Sequence, residues 1–399
     1  MLDNIKPFKG NFTQQEPIDA AAIDAAVRVM QGGRLHRYNV ASEEELSETA
    51  LLEIEFARYQ DQKYCLACAS GGYALQLALR AWGLKAGQPV LTNGFTLSPV
   101  PGSIFAAGGK PVLVDTTEDL VLDLDHLQTM IKSSGARVLM LSHMRGHIVD
   151  MYKLVDILDA HDVALIEDCA HTMGASFDGK KSGFHGVAAC FSTQTYKHIN
   201  SGEGGLMTTD DDELMARAIV LSGSYMLFER HQAAPPLEVF NQIKLETPNC
   251  SGRMDNLRAA ILRPQLEKLD TRGQRWNERY DAFANVLRES NAIQMPVRHS
   301  ACYEVPSSIQ FRIERFDDAQ NQAFLEIVKD YGVDLKWFGD ATPKAYTSRY
   351  DSWHYIETKE LPQTDKILSR LYDCRLPLTF SVADCAEIAG IVLAVEQAI

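Results

Sequence analysis

The chain has 399 residues, 46% of them hydrophobic and 23% charged, which is ordinary for a soluble globular protein of two or three domains with a large buried core. A net charge of -14 without any lysine or arginine run argues against nucleic acid or an anionic membrane surface as partner and favours a small molecule. No apolar run approaches the roughly 18 residues of a membrane helix, and the first residues lack the basic-then-apolar pattern of a targeting segment, so a cytoplasmic protein is expected.

The apolar spacing predicts helix at 20–31, strand at 64–67, helix at 73–82, strand at 89–91, helix at 101–107 and strand at 111–114. Helix at 125–132, strand at 138–141, helix at 151–160 and strand at 163–166 continue the alternation. Such alternation implies an α/β fold, a mostly parallel sheet covered on both faces. After Thr209 the rhythm changes. Asp210 to Glu213 start a helix reaching about 221, and 230–248 reads as a loop that could be a lid or an interface segment. One long helical pattern runs from 254 into the 280s, and strand 308–313 with helix 322–331 suggests a smaller α+β unit. The expected division is an arm over 1–15, a large domain over 16–255, and a linking helix with a small domain over 256–399.

The eight cysteines are scattered in apolar segments, as reduced core thiols would be. Cys65 and Cys68 spell C-x-x-C, but residues three apart in a strand face opposite sides and no second pair completes a zinc site, so no metal is expected.

The most informative segment is Phe191-Ser192-Thr193-Gln194-Thr195-Tyr196-Lys197-His198, followed by Gly202-Glu203-Gly204-Gly205. A lysine held at a strand's end beside a glycine turn is where a protein would place an amine to form a Schiff base with an aldehyde such as pyridoxal phosphate, PLP. Upstream, Ile166-Glu167-Asp168 places a carboxylate at another strand's end, where a pyridinium nitrogen could be kept protonated. In open parallel sheets ligands sit beyond the carboxyl ends of the strands. Ser70-Gly71-Gly72 follows one strand and opens a helix, offering amides to a phosphate; a plain strand-to-helix turn is the alternative. Thr92 to Thr96, His143 to His147 and Asp168 to His171 follow others.

In these motifs, and in Gly33 to Tyr38, Gly109 to Asp115, Gly146 to Met151, Arg253-Met254 and Leu376-Pro377-Leu378, nearly the whole chain resembles the DegT/DnrJ/EryC1/StrS sugar aminotransferases, which are fold-type-I PLP enzymes. The resemblance implies that Lys197 forms the internal aldimine and shuttles the proton, that Asp168 holds the ring nitrogen protonated, and that His171 contacts the ring or its 3-oxygen. It further implies that Ser192 binds the cofactor phosphate with Ser70 and the amides of Gly71 and Gly72. The retained lysine favours transamination over the dehydration of the related sugar 3-dehydratases. An amino group would pass from glutamate or glutamine, through pyridoxamine phosphate, to a nucleotide-linked keto-sugar or a keto-cyclitol, in a homodimer with shared active sites.

Three positions depart from the family pattern. Its Ser-Gly-Thr is Ser70-Gly71-Gly72 here, which removes one phosphate hydroxyl. Its ring-stacking aromatic falls on Leu97, so either an apolar leucine face or the shifted Phe95 serves. Its partner-subunit asparagine falls on Ser251, with Asn249 two residues before. Where many relatives read His-Leu-Tyr-Gly, this chain has His143-Met144-Arg145-Gly146. Arg145, with Arg34 or Arg37, is a candidate for an anionic part of the acceptor, the alternative being a surface or interface salt bridge. His198 is a further substrate candidate, and Tyr225, His231, Trp337, Phe338 and Lys344 are either pocket or core. A PLP-binding regulatory protein without turnover and another PLP reaction, elimination or aldol cleavage, are the competing functions.

Overall fold

A computed structural model describes residues 5–42, 44–340, 346–357 and 359–399. Its first half is built from α1 (Ala20–Gly32), α2 (Glu48–Gln60), β1 (Tyr64–Cys68), α3 (Gly71–Trp82), β2 (Pro89–Asn93), α4 (Pro99–Ala106), β3 (Lys110–Val114), α5 (Leu124–Ser134), β4 (Val138–Ser142), α6 (Met151–His161) and β5 (Ala164–Asp168). The short strands β6 (Ser176–Phe177) and β7 (Lys180–Lys181) precede β8 (Ala188–Ser192), β9 (Gly205–Thr209), α7 (Asp212–Leu221) and α8 (Leu237–Ile243). The chain continues through α9 (Asn256–Leu266), α10 (Leu269–Leu287), β10 (Ile293–Gln294), β11 (Cys302–Tyr303), β12 (Ser308–Ile313) and α11 (Asp318–Asp330). It closes with β13 (Leu335–Trp337), α12 (Pro362–Leu368), β14 (Leu371–Arg375) and α13 (Val382–Ala398).

The central sheet has the order β1-β9-β8-β5-β4-β2-β3, and β9 alone runs against the rest. Its strands alternate between two apolar layers. In β1, Tyr64, Leu66 and Cys68 join the layer with α3 and α7, whereas Cys65 and Ala67 join the one with α2 and α9. Burial on both faces is what helices on both sides of a parallel sheet require. It also sends the two thiols of the C-x-x-C to opposite sides, as the period of 2 dictates.

The C-terminal sheet, β10-β12-β14-β13, is antiparallel throughout and packs one face, with α10, α11 and α13, into a core that runs on without a break to β2–β5, α5 and α6 of the central sheet. The N-terminal segment docks there. Phe8, Phe12 and Phe380 meet edge to face with ring centres 4.9 to 5.9 Å apart.

Three elements differ from the sequence expectation. The stretch 230–248 is not an open loop: α8 buries Phe240 and Ile243 in the central core. The long helix predicted from 254 is two, α9 and α10, broken at Lys268 after a helix that already contains Pro264. Helix α2 escapes the periodicity rule because its buried face carries Thr49, Glu53 and Gln60 beside Leu52 and Phe56.

Candidate active site

Lys197 lies in the loop between β8 and β9. Backbone bonds Thr193 N–H to Gly204 O (2.9 Å), Ser201 N–H to Thr193 O (3.0 Å) and Thr195 N–H to Gly202 O (3.1 Å) close that loop on itself. Gly202 at φ 83° and Gly204 at φ 150° make the turn, and a Cβ at Gly204 would lie 2.2 Å from Thr193 Oγ1. The closed loop holds the half-buried Lys197 on the wall of a cavity of about 520 Å³ between the central and C-terminal sheets. Desolvation lowers its ammonium pKa to about 8, with Asp168 opposing and Arg145 and Arg375 adding to the shift.

Asp168 ends β5 and is buried. It accepts from Ser142 Oγ (3.1 Å) and Ala170 N–H (3.1 Å). Burial still raises its pKa above the usual carboxylate value, because these donors and Lys197 compensate only in part. Its neighbour Glu167 points the other way. Glu167 accepts from Gly183, His185 and Gly186 N–H at 2.8 to 3.1 Å and meets His143 Nε2 at 2.9 Å. His143, Glu167 and Cys169 offer atoms within 4.8 Å of one another, but this carboxylate is already saturated by hydrogen bonds.

His171 borders the cavity, and its Nδ1 accepts the Arg145 N–H at 3.2 Å. That bond leaves the proton of the neutral ring on Nε2. Burial, then Lys197 and Arg145, push its pKa well below the usual value, so the ring is neutral at physiological pH. Arg145 itself sits at φ 57°, a left-handed conformation uncommon outside glycine.

The phosphate candidates form a tight junction. Ser70 caps α3, its Oγ accepting from Tyr73 N–H at 3.1 Å. A Cβ on Gly71 would lie 2.8 Å from Ser192 Cβ, and one on Gly205 would lie 2.3 Å from the Ser70 carbonyl. Glycine is therefore required at both positions, and the α3 N-terminus is pressed against the Ser192 end of β8. Gly72 has no such neighbour, its nearest atom being Ser103 Oγ at 3.8 Å.

Several sequence candidates are corrected. Phe95 is fully buried against Phe338, ring centres 5.1 Å apart, so it cannot stack on a ring at Lys197; Leu97 borders the cavity instead. Arg37 is buried in an ion pair with Glu53 (2.8 Å) beside His231, and Arg34 pairs at the surface with Glu45 (3.2 Å). Neither lines the cavity of this chain. His198 is turned from substrate, its Nε2 meeting Val305 O at 2.9 Å and its ring packing on Trp276. Asn249 and Ser251, the positions that the resemblance gives to the partner's site, are not corrected by this: they bind Tyr225 in an exposed corner of this chain. Trp337 and Phe338 are core, and Lys344 lies outside the described residues. Arg145 does border the cavity, paired with Asp373 at 2.8 Å, which rules out a purely surface salt bridge. Lys336 and Arg375 also border it; sequence reading passed over them, although the alternation in 335–337 and 371–375 marked one polar face.

Residues 18–394 match the model of the DegT/DnrJ/EryC1/StrS aminotransferase family. The chain belongs to this family. The family's enzymes use PLP. Among its relatives, the GDP-perosamine synthase of Caulobacter vibrioides is 36% identical over 219 residues, 55% of this chain and 56% of that protein. The L-glutamine:2-deoxy-scyllo-inosose aminotransferase of Streptomyces kanamyceticus is 31% identical over 273 residues, 67% of this chain and 63% of that protein. The chain thus spans less than two thirds of the length of either relative. The fold is that of 3-amino-5-hydroxybenzoic acid synthase, with a TM-score of 0.83 over 99% of this chain and 100% of that one at 23% identity.

The site suits the cofactor. Asp168 is a buried carboxylate whose charge is incompletely compensated, as a protonated ring nitrogen would remedy, and the Gly71–Ser192 junction presents amides and a hydroxyl without side-chain bulk.

Proposed function

We propose that this chain is a transaminase that moves an amino group from glutamate or glutamine to the keto carbon of a nucleotide-linked sugar or of a cyclitol. The observation that carries the reading is Lys197 itself, a desolvated amine facing a cavity with Asp168 close enough to influence its charge. With a pKa of about 8, roughly a quarter of the amine is neutral at pH 7.5, against about 0.1% for an ordinary lysine. That fraction can attack a carbonyl and then accept or return a proton. When bound, PLP would supply the electron sink that such a transfer needs. Asp168 keeps the ring nitrogen protonated, Ser192 and the Gly71 and Gly72 amides hold the phosphate, and neutral His171 offers an N–H donor at the cavity wall. Leu97 gives the ring an apolar face.

A homodimer fits the surface. Helix α1 leaves Ile23, Val27 and Met30 exposed in one row, which a second copy would cover. The test is to add glutamate or glutamine to the PLP-loaded protein and follow the visible spectrum. Loss of the lysine-bound band, and its return with a keto-sugar or keto-cyclitol, supports the proposal. A band unmoved by every donor refutes it and favours the regulatory reading; amino-acid breakdown without an acceptor indicates elimination or aldol cleavage.

A further inference from the structure

The C-terminal sheet has one face that the core does not use. In its register Ile309 and Leu335 lie opposite Cys374, and Phe311 and Trp337 opposite Tyr372, all apolar and packed inward. The alternate positions pair Ser308 with Arg375, and Gln310 and Lys336 with Asp373. The period of 2 therefore gathers these polar side chains on the opposite face, where Ser308, Lys336, Asp373 and Arg375 border the Lys197 cavity.

A polar sheet face normally meets water, yet Ser308, Gln310 and Asp373 are at most 4% exposed. Gln310 is satisfied by Asp373 (2.6 Å) and His147 (2.9 Å), and Asp373 also takes Arg145. Lys336 and Arg375 are different. Lys336 Nζ donates to Ser348 Oγ at 2.9 Å, and the Arg375 guanidinium lies 4.2 Å from the ring centre of Tyr196, the residue beside Lys197. Among the described residues neither has a carboxylate at ion-pair distance. The cavity wall as a whole carries Arg145, Lys197, Lys336 and Arg375 against Asp334 and Asp373, in a protein of net charge -14. Part-buried cations without counter-ions fit an incoming anion.

We propose that Lys336 and Arg375, with Arg145 beside them, form an anion subsite on the cleft face of this sheet that takes a carboxylate or phosphate of the substrate held at Lys197. The inference rests on the transaminase reading for the presence of that substrate. It replaces Arg34 and Arg37, which are engaged elsewhere, and moves the recognition of charge from the segment between α1 and α2 to the C-terminal sheet. The anion comes either from the amino donor, whose carboxylates lie close to its reacting carbon, or from the diphosphate of a nucleotide-linked acceptor.

Two unreactive probes separate these sources. Calorimetry on the PLP-loaded protein would measure glutarate, a dicarboxylate without an amine, and UDP, a nucleoside diphosphate without a sugar. Lys336→Met and Arg375→Leu are expected to weaken one probe by ~10-fold or more, as loss of a charged hydrogen bond does. Lys336→Gln and Arg375→Gln stand in if the apolar variants fail to fold, and thermal melting and the cofactor spectrum establish that each variant is intact. Weaker glutarate alone assigns the subsite to the donor, and weaker UDP alone assigns it to the acceptor. Wild-type affinity for both probes in intact variants overturns the proposal, as does a wild-type protein that binds neither at millimolar concentration. Because neither probe turns over, failure of the transaminase reading would show separately, as a spectrum that no amino donor shifts.

Discussion

Gly71 and Gly72 are adjacent, chemically identical and placed in very different surroundings, which makes them a sharp test of the phosphate cradle. An alanine Cβ at 71 would meet Ser192 Cβ at 2.8 Å, its backbone α-carbon at 3.2 Å and its Oγ at 3.3 Å. No rotamer change moves the first two of these atoms aside, so β8 or the start of α3 must shift. Overpacking of this kind costs about 1–3 kcal/mol. If the displaced groups are those that hold the phosphate, PLP affinity falls by roughly 5- to 150-fold. At 72 an added Cβ finds its nearest atom 3.8 Å away, an ordinary van der Waals distance, and alanine there gains about 0.4–1 kcal/mol from a less flexible unfolded chain. Fluorescence titration of the cofactor-free proteins with PLP reads affinity, and thermal melting reads stability. Gly71→Ala should lose affinity while Gly72→Ala keeps it. Equal affinity in the two variants, or the reverse order, would refute the assignment of this junction to the phosphate.

The remaining predictions concern charge and packing. Lys197 has a folded pKa of about 8 against 10.5 unfolded, so between those values the unfolded chain holds the extra proton and stability rises with pH, by up to about 3 kcal/mol. Lys197→Met should lose that rise; melts of the cofactor-free proteins across the window check it, and parallel curves would contradict the lowered pKa. Arg37→Leu strands Glu53 in the core and should cost about 3–5 kcal/mol in urea unfolding, with acceptor KM unchanged in the folded fraction. A raised KM at intact stability would restore Arg37 as a substrate residue. Phe95→Ala should cost about 3–5 kcal/mol of stability and leave the cofactor spectrum alone, whereas Leu97→Phe should tighten PLP by about 0.5–1.5 kcal/mol. Spectral titration of both variants distinguishes stacking from core packing.

The parallel strands were legible in the sequence because each is a short apolar run between turns, and their order along the chain carries the ligand to the strand ends whatever the details. The strand-end positions of Asp168 and Ser192 were legible for the same reason, whereas Lys197, expected to end a strand, lies past β8 in the loop that leads to β9. What periodicity could not show was the consequence of a polar residue turned inward. Helix α2 buries Glu53, which breaks the apolar stripe, and Glu53 in turn captures Arg37 across 16 positions of sequence. Nothing local to Arg37 announces that partner. Phe95 and Leu97 illustrate a related limit. They lie two residues apart just past β2, but Phe95 is buried inside the Phe338 cluster whereas Leu97 packs against that cluster from the cavity side, a difference made by the C-terminal region rather than by the loop itself.

The fate of the arginines follows from how many carboxylates surround each one. Arg37 has Glu53 at 2.8 Å and almost no exposure, so its charge is spent on holding α2 to the β1 end of the sheet. Arg145 has Asp373, but that carboxylate is shared with Gln310 and Lys336 lies opposite it in the sheet, so the pair does not neutralise the wall it belongs to. Arg375 has an aromatic face and no carboxylate within 4.0 Å among the described residues. The uncompensated charge thus grows from the rear of the central sheet toward the C-terminal sheet, while the amine at Lys197 already feels Arg145 and Arg375. An anion seated against Lys336 and Arg375 would relieve that repulsion and raise the Lys197 pKa above about 8. If that subsite exists, its occupancy is linked to the protonation of Lys197, and the pH at which Lys197 titrates should move upward when glutarate or UDP binds there.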